Sequence, residues 1–192
     1  GKAARLMQLD GYQTAQAMGI GEYHGPGSQM MRCIDHPNML KDVSGWGAMC
    51  GVSAARLAAA GFTGAPALTL GTDHWSDLGD TWLICQQYFK PYPVCRWAQA
   101  PVAAVLDLQN CHGFDSQTIT GLHIHSFHES VRLGTKQVTT TEEAQYSTSF
   151  PCALALVHGT ILPEHVADAA LQHPEVQRLS SILTMQEDAS AN

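Results

Sequence analysis

The stretch "AQAPVAAVLDLQNCHGFDSQTITGLHIHSFHESVRL", residues 98–133, contains two kinds of hydrophobic repeat in succession. Its first part predicts an α-helix, with Pro101 in the first turn and Gly113 at the end. The apolar positions of this helix lie on one stripe: Val102, Val105 and Leu106. After Gly113, apolar residues such as Ile119 and Ile124 alternate with polar ones, which is the period of a half-exposed strand. A helix followed by a strand indicates the α+β fold class.

The segments after this stretch predict further helices. Residues 142–159, "EEAQYSTSFPCALALVHG", have helical spacing, with a break or kink at Pro151 and a stop at Gly159. Their apolar stripe consists of Phe150, Ala153, Leu154 and Val157. The remaining residues predict two short helices hinged at Pro174, because the residue before a proline disfavours helical geometry.

The first 43 residues predict two helices and a long loop. Residues 2–9 and 12–20 have helical composition, with Asp10 between them as a candidate N-terminal cap. Two glycines, Gly19 and Gly21, are expected to close the second helix. Residues 21–43 are rich in Gly, Pro, His and Asn, a composition typical of a loop.

The next segments change in composition near residue 65. Ser44 begins a predicted helix rich in Gly, Ala and Ser, which permits close helix packing, and Gly61 is expected to end it. Residues 65–70, "APALTL", and 81–89, "TWLICQQYF", are enriched in residues typical of buried strands. We therefore expect two parts: a helical segment over residues 1–65, and an α+β domain with C-terminal helices over residues 66–192.

Charge and hydropathy exclude several function classes. Ten Lys and Arg residues stand against seventeen Asp and Glu residues, a net charge of −7. This balance repels nucleic acid and anionic membranes, and no local basic patch reverses it. The chain contains no apolar run long enough to span a bilayer and no signal-peptide pattern, so we expect a cytoplasmic protein without nucleic-acid or membrane partners.

The cysteines and histidines do not predict a metal site. Six cysteines are scattered without a CxxC pair, which favours reduced, buried thiols over zinc ribbons or iron–sulfur clusters. The pattern His123-x-His125-x-x-His128 is the alternative, because His123 and His125 share one face of a strand. Two imidazoles alone make an incomplete zinc shell, so we predict no metal.

Four stretches, taken in chain order, resemble the MmgE/PrpD family. They are "HPNMLKDVSGWGAMCGVSAARLAAAGFTGAPAL" (36–68), "YFKPYPVCRWAQAPVAAVLDL" (88–108), "FHESVRL" (127–133) and "EEAQYSTSFPCALALVHGTILPEHV" (142–166). This family includes 2-methylcitrate dehydratase, cis-aconitate decarboxylase and iminodisuccinate epimerase. The resemblance implies the end of an all-helical domain followed by a smaller α+β lid domain, and a homo-oligomer, generally a dimer.

The resemblance also implies which residues form the site. Lys41, in "MLKD", and Lys90, in "YFKPYPVCRW", occupy positions of family lysines, and His128, in "FHES", lies in a family-like motif. We expect these three residues to be catalytic, with His128 moving a proton.

Two further residues are expected to bind substrate. Arg96 offers a two-pronged clamp for a carboxylate, although a surface pairing with Asp107 is an alternative. Tyr92 offers a hydroxyl, although a role in the core is also open for it. Lys90 is one of only four lysines, and Pro91 restricts its backbone to extended conformations, so the direction of its ammonium group is constrained.

The implied chemistry is the removal or return of a proton beside a carboxylate of a small di- or tricarboxylate. Dehydratase, decarboxylase and epimerase types share this step, and none of them requires a cofactor. The resemblance does not extend to the N-terminal helical region that supplies further active-site residues in the family, so the site is expected to be incomplete in a single chain. The alternative is a truncated, non-catalytic lid module that serves ligand binding or oligomerisation.

Overall fold

The computed structural model describes residues 1–41, 43–134 and 137–191. Across these residues the α-helices are α1 (Lys2–Leu6), α2 (Gly11–Tyr23), α3 (Met30–Asp35), α4 (Ser44–Ala59), α5 (Gln99–His112), α6 (His128–Arg132), α7 (Thr141–Gln145), α8 (Ser149–His158) and α9 (Pro174–Ile182). The strands are β1 (Leu122–Ser126) and β2 (Leu183–Glu187). Short 3₁₀ turns cover Leu68–Gly71, Asp73–Trp75, Leu83–Gln86, Arg96–Ala98, Ser116–Thr118, Pro163–Val166, Asp168–Ala170 and Ala189–Ala191.

The chain divides into two compact units. Unit 1 comprises Gly1–Met30 and Lys41–Gln87, and unit 2 comprises Met31–Leu40 and Tyr88–Asn192. The division rests on contacts within this chain, and the domain boundary expected near residue 65 stays a prediction. No helix of the described segments is long and apolar enough to cross a membrane.

In unit 1, α2 packs against α4 through small side chains. Asp10 caps α2 as predicted: its carboxylate accepts the Gln13 N–H at 2.7 Å, and the Gln13 side chain accepts the Asp10 N–H. The small core between the helices consists of Ala17, Ile20, Ala54, Ala55 and Ala58. Gly19 and Gly21 lie inside α2, so the prediction that they end it is wrong. Gly19 is needed for close packing, because a Cβ there would lie 1.7 Å from the Ala65 carbonyl oxygen.

The two strands predicted between residues 65 and 89 are wrong. Their segments contain 3₁₀ turns at Leu68–Gly71 and Leu83–Gln86, and most of their large apolar side chains are exposed. The Glu22 carboxylate accepts the Leu68 N–H at 3.0 Å and the Thr69 hydroxyl at 2.8 Å. Glu22 therefore satisfies backbone groups of the first segment that a neighbouring strand would bind in a sheet.

In unit 2, helix α8 is the centre of the hydrophobic core. All residues from Ser149 to Leu156 are buried, and the helix packs against α5 and α9. α5 and α8 end at Gly113 and Gly159 as predicted, and both glycines are left-handed, with φ of 66° and 71°. The break predicted at Pro151 is found earlier in the chain, between α7 and α8. Pro151 itself lies in the first turn of α8, where its missing N–H breaks no helical hydrogen bond.

Strands β1 and β2 pair in parallel, with Leu122 opposite Leu183 and Ser126 opposite Glu187. β1 alternates as predicted: Leu122 and Ile124 are half-buried, whereas His123 and His125 are exposed. β2 lies in a segment predicted to be helical, so that prediction is wrong. The combination of many helices with a small sheet confirms the α+β class.

Helix α3 corrects a further prediction, because residues 21–43 were expected to form a loop. Ile34 on α3 is buried in the core of unit 2, and Asp35 forms an ion pair with Arg132 of α6. Burial of an apolar residue and pairing with a distant arginine stabilise a helix of 6 residues, a length that is marginal for an isolated helix.

Candidate functional site

The turn that precedes α5 is held together by the side chain of Gln99. Its amide nitrogen donates to the carbonyl oxygens of Tyr92 and Val94, both at 3.1 Å, and lies 3.4 Å from that of Cys95. Its amide oxygen accepts the Tyr92 N–H at 3.3 Å. The Cys95 N–H donates to the Gln145 carbonyl at 2.9 Å. Residues 92–95 are therefore fixed from two sides, and Gln99 is a residue that the sequence analysis missed.

Lys90 projects from this turn with an exposed side chain. Its ammonium group donates to the Val94 carbonyl, four residues later in the chain, at 3.0 Å. An ammonium group has three N–H donors, and a single carbonyl leaves donors for a ligand. Among the described residues, no carboxylate forms an ion pair with Lys90.

Arg96 lies on the same turn and is held by Tyr88. Its Nε donates to the Tyr88 hydroxyl, and its guanidinium carbon lies 4.8 Å from the centre of the Tyr88 ring. Within the described part of the chain, Arg96 has no ion pair with Asp107 or another carboxylate, so the alternative pairing is not observed. Tyr92 is half-buried with its ring against the core, and its substrate-binding role stays a prediction.

His128 is the first residue of α6 and forms a pair with Glu187. Its Nδ1 lies 3.0 Å from Glu187 Oε2, and both side chains are about half exposed. Because an ionised carboxylate only accepts hydrogen bonds, a neutral His128 paired with it donates from Nδ1, and Nε2 of that ring can accept a proton. Glu187 was missed because β2 was predicted to be helical. A strand at this position, paired with β1 and ending in an acidic residue, would have indicated a partner for His128.

A ring contact joins the Arg96 turn to the start of α6. Trp97 and Phe127 lie edge to face, with ring centres 6.0 Å apart, and Phe127 directly precedes His128. Unit 2 thus contains Lys90, Arg96 and His128 on segments that pack together. Lys41, the remaining residue predicted to be catalytic, belongs to unit 1, where its side chain is exposed and interacts with a neighbour.

The histidines of β1 have separate partners. His123 Nδ1 lies 2.7 Å from the Thr184 hydroxyl, and the charge of His125 acts on Asp188. The hydroxyl and backbone N–H of Ser190, and then His125, lower the pKa of Asp188 below its ordinary value. Over the described ranges, no group of three or more His, Cys, Asp or Glu side chains has an arrangement that could hold a metal ion.

The six cysteines form no disulfide with one another, and Cys152 is the buried one among them. Burial raises the pKa of Cys152 to about 12. A thiol with this pKa stays protonated at neutral pH and is a poor nucleophile. The expectation of buried thiols is wrong for Cys85 and Cys111, which are exposed.

Comparison with known proteins agrees with the resemblance seen in the sequence. A family model described as the MmgE/PrpD C-terminal domain matches residues 92–192, which is more than half of the chain. No individual curated protein matches the chain. Arg96 and His128 lie within the matched range, whereas Lys41 and Lys90 lie before it. The predicted family is confirmed, and the chain belongs to the MmgE/PrpD family through its C-terminal domain.

Proposed function

We propose that the chain acts on a small di- or tricarboxylate by removing or returning a proton beside a carboxylate. One observation supports this most strongly: Lys90 and Arg96 project from one turn without carboxylate partners among the described residues. In a chain of net charge −7, acidic groups are abundant. Two cations that nevertheless bind only neutral neighbours are suited to an anionic ligand.

The proposed roles follow from the chemistry of each group. Arg96 binds a carboxylate through its planar fork, and its contact with Tyr88 limits the orientations that this fork adopts. Lys90 places positive charge where negative charge develops on the substrate, which lowers the energy of an enolate-like intermediate. His128 removes the proton through Nε2 while Glu187 holds Nδ1.

Lys41 is proposed as a third cation for the substrate, on the basis of its motif. Dehydration, decarboxylation and epimerisation share the same intermediate, and they differ in the group that leaves and in the face that is reprotonated. We also propose that the enzyme is homo-oligomeric and cytoplasmic and uses no cofactor.

Proton NMR in D2O tests the proposed function. The chain is incubated with 2-methylcitrate, cis-aconitate or iminodisuccinate, beside the Lys90→Ala variant. We expect deuterium incorporation or turnover with one of these compounds, and its loss in the variant. Lack of exchange with all three, by a chain whose fold is intact by circular dichroism, would contradict the proposal.

A second candidate function is a non-catalytic module that binds a ligand or a second copy of the chain. The observation that favours it is the surface of α4, where Trp46, Met49 and Val52 are 58%, 52% and 48% exposed. An apolar helix surface of this kind is typical of an interaction site. Carboxylate binding without any proton exchange would favour this candidate over the enzyme.

A further inference from the structure

Gln99 is a buried polar residue at the start of α5, and it is only 8% exposed. Its amide donates to the carbonyl oxygens of Tyr92, Val94 and Cys95 and accepts the Tyr92 N–H. A glutamate would keep the acceptor but lose the donors, and an apolar residue would lose both. The turn therefore depends on an amide at this position, because buried carbonyl groups need a donor.

The Val94 carbonyl connects Gln99 to Lys90. Its oxygen accepts the Gln99 amide at 3.1 Å and the Lys90 ammonium at 3.0 Å. Val94 itself is buried, and the Val94 N–H donates to the Tyr92 carbonyl at 2.9 Å, so the shared oxygen lies on a backbone segment with little freedom. The position of the ammonium group is thus set by an oxygen that Gln99 holds in place.

We propose that Gln99 is a positioning residue for Lys90: it fixes the Val94 carbonyl, which holds the Lys90 ammonium ready to bind a carboxylate. The positioning role rests on the contacts above. Only the identity of the ligand, a carboxylate, rests on the proposed function. A free lysine side chain samples many rotamers, and ordering it costs entropy at the moment of binding. A lysine ordered before binding has already met that cost, so the ligand binds more tightly.

The first test follows the Lys90 ammonium in the ligand-free chain. Gln99→Met retains similar size but removes the amide, and Gln109→Met is the matched control. Gln109 lies on the same helix and donates to the Leu156 carbonyl at 3.1 Å, away from the Lys90 turn. With ¹⁵N-labelled lysine, NMR relaxation reports the order of each ammonium group, and Lys2 provides an internal reference.

We expect the order of the Lys90 ammonium to fall towards that of a free surface lysine in Gln99→Met and to stay unchanged in Gln109→Met. An unchanged Lys90 in Gln99→Met would overturn the proposal. If Gln99→Met does not fold, Gln99→Leu takes its place, since it also lacks the donors and adds no charge that could pair with Lys90. This readout needs no ligand, so it decides the positioning role even if the proposed function fails.

The second test measures cis-aconitate binding by calorimetry in a double-mutant cycle with Lys90→Ala. We expect Gln99→Met to weaken binding about tenfold in the chain with Lys90, the scale of one hydrogen bond to a charged group. In the Lys90→Ala background the same substitution should change the affinity less than about twofold, because coupled residues are not additive.

Equal weakening of cis-aconitate binding in both backgrounds would show a merely structural role for Gln99 and overturn the proposal. Absence of binding of cis-aconitate, 2-methylcitrate and iminodisuccinate alike by the unaltered chain would contradict the proposed function instead. The order of the Lys90 ammonium in Gln99→Met would then decide the positioning role by itself, so the two failures are distinguishable.

Discussion

Lys90 and Arg96 are held by neutral partners, a backbone carbonyl and a phenol. These contacts order the two side chains without neutralising them, which is the condition that an anion-binding cation must meet. An ion pair with a nearby carboxylate would order them equally well, but it would compete with an anionic ligand for the same N–H groups.

The pair of His128 and Glu187 predicts a test of the proton transfer at the residue level. Glu187→Gln removes the charge that orients and supports the imidazole, so the rate of deuterium exchange should fall at least about tenfold. Glu129→Gln is the control, because Glu129 is adjacent to His128 in α6 and carries the same charge. Equal rates for Glu187→Gln and the unaltered chain would remove Glu187 from the mechanism.

Gly19 predicts a second residue-level result, on stability. In Gly19→Ala the added methyl would overlap the Ala65 carbonyl oxygen, so unit 1 should lose about 2–4 kcal/mol of unfolding free energy. Gly47→Ala on α4 is the control, since a Cβ there meets no atom within 4 Å. The control should gain up to about 1 kcal/mol from helix propensity. Urea unfolding measures the change in unfolding free energy for each of the two variants. Similar midpoints would show that the α2–Ala65 contact does not form.

The site was only partly predictable from single residues. Motif position indicated Lys90 and Arg96, and Pro91 indicated a constrained backbone at Lys90, since proline restricts the residue before it. Gln99 was not predictable, because its role depends on a turn that brings it back onto carbonyls four to seven residues earlier in the chain. Glu187 was not predictable, because it reaches His128 across 59 residues through the pairing of β1 with β2.

At the scale of elements, local signals identified several helix ends and strand β1, but they failed for β2 and for the two segments at 65–70 and 81–89. Asp10, Gly113 and Gly159 act within one turn of the backbone, so their effects could be predicted from the adjacent sequence. β2 forms because it pairs with the edge of β1. This pairing is non-local, so it could not be predicted from the composition of β2. The segments at 65–70 and 81–89 have strand-like composition, but in the described structure they pair with no strand.

Three histidines meet where α8, the turn Pro163–Val166 and α9 come together. The ring of His158 stacks on His165 with centres 4.2 Å apart, and its centre lies 5.5 Å from that of His173. His165 and His173 each accept a backbone N–H through Nδ1, from Leu162 and Val176. A protonated imidazole has no acceptor, so protonation of either ring removes its contact with the backbone.

This cluster predicts that acid weakens unit 2. Burial first, and then the charges of His165 and His173, lower the pKa of His158 from its ordinary value of 6.5. The unfolded chain therefore binds more protons than the folded chain in this range, and the unfolding free energy rises with pH. The contribution of His158 to the unfolding free energy is complete above pH 6.5, and it is lost as the pH falls from 6.5 through the lowered pKa.

Thermal unfolding measures the effect between about pH 7.5 and about pH 5.5. The melting temperature should fall over this interval, and His158→Asn should reduce the fall. His112→Asn is the matched control, because His112 also ends its helix before a left-handed glycine but lies outside the cluster. Glu175 is a counter-charge near His173, and it is already bound by Arg178. A fall of the same size in His158→Asn and in the unaltered chain would contradict the role of the cluster.

For the whole molecule, the two units differ in how completely they bury their apolar residues. Unit 2 has a continuous core that includes Phe150, Leu154, Ile161 and Leu179. The buried cluster of unit 1 is small, and α4 buries only Ala54, Ala55 and Ala58. Because a helix that is apolar on several faces is typical of a buried element, α4 is expected to be covered by a further surface.

The proposed second copy of the chain provides such a surface, and sedimentation velocity tests it. We expect the chain to self-associate in a concentration-dependent way. Each Å² of apolar surface that is buried contributes about 25 cal/mol of favourable free energy, which favours contact between apolar faces. The double variant Trp46→Glu and Met49→Lys places opposite charges on this face without changing the net charge, and it should shift the chain towards monomer. The control is Leu6→Glu on α1. The Leu6 side chain is 84% exposed, and its substitution should leave the association unchanged. A monomer at all concentrations that also binds no hydrophobic dye would contradict an interacting α4 surface. Dye binding by a monomer would instead indicate an exposed apolar surface that does not mediate self-association.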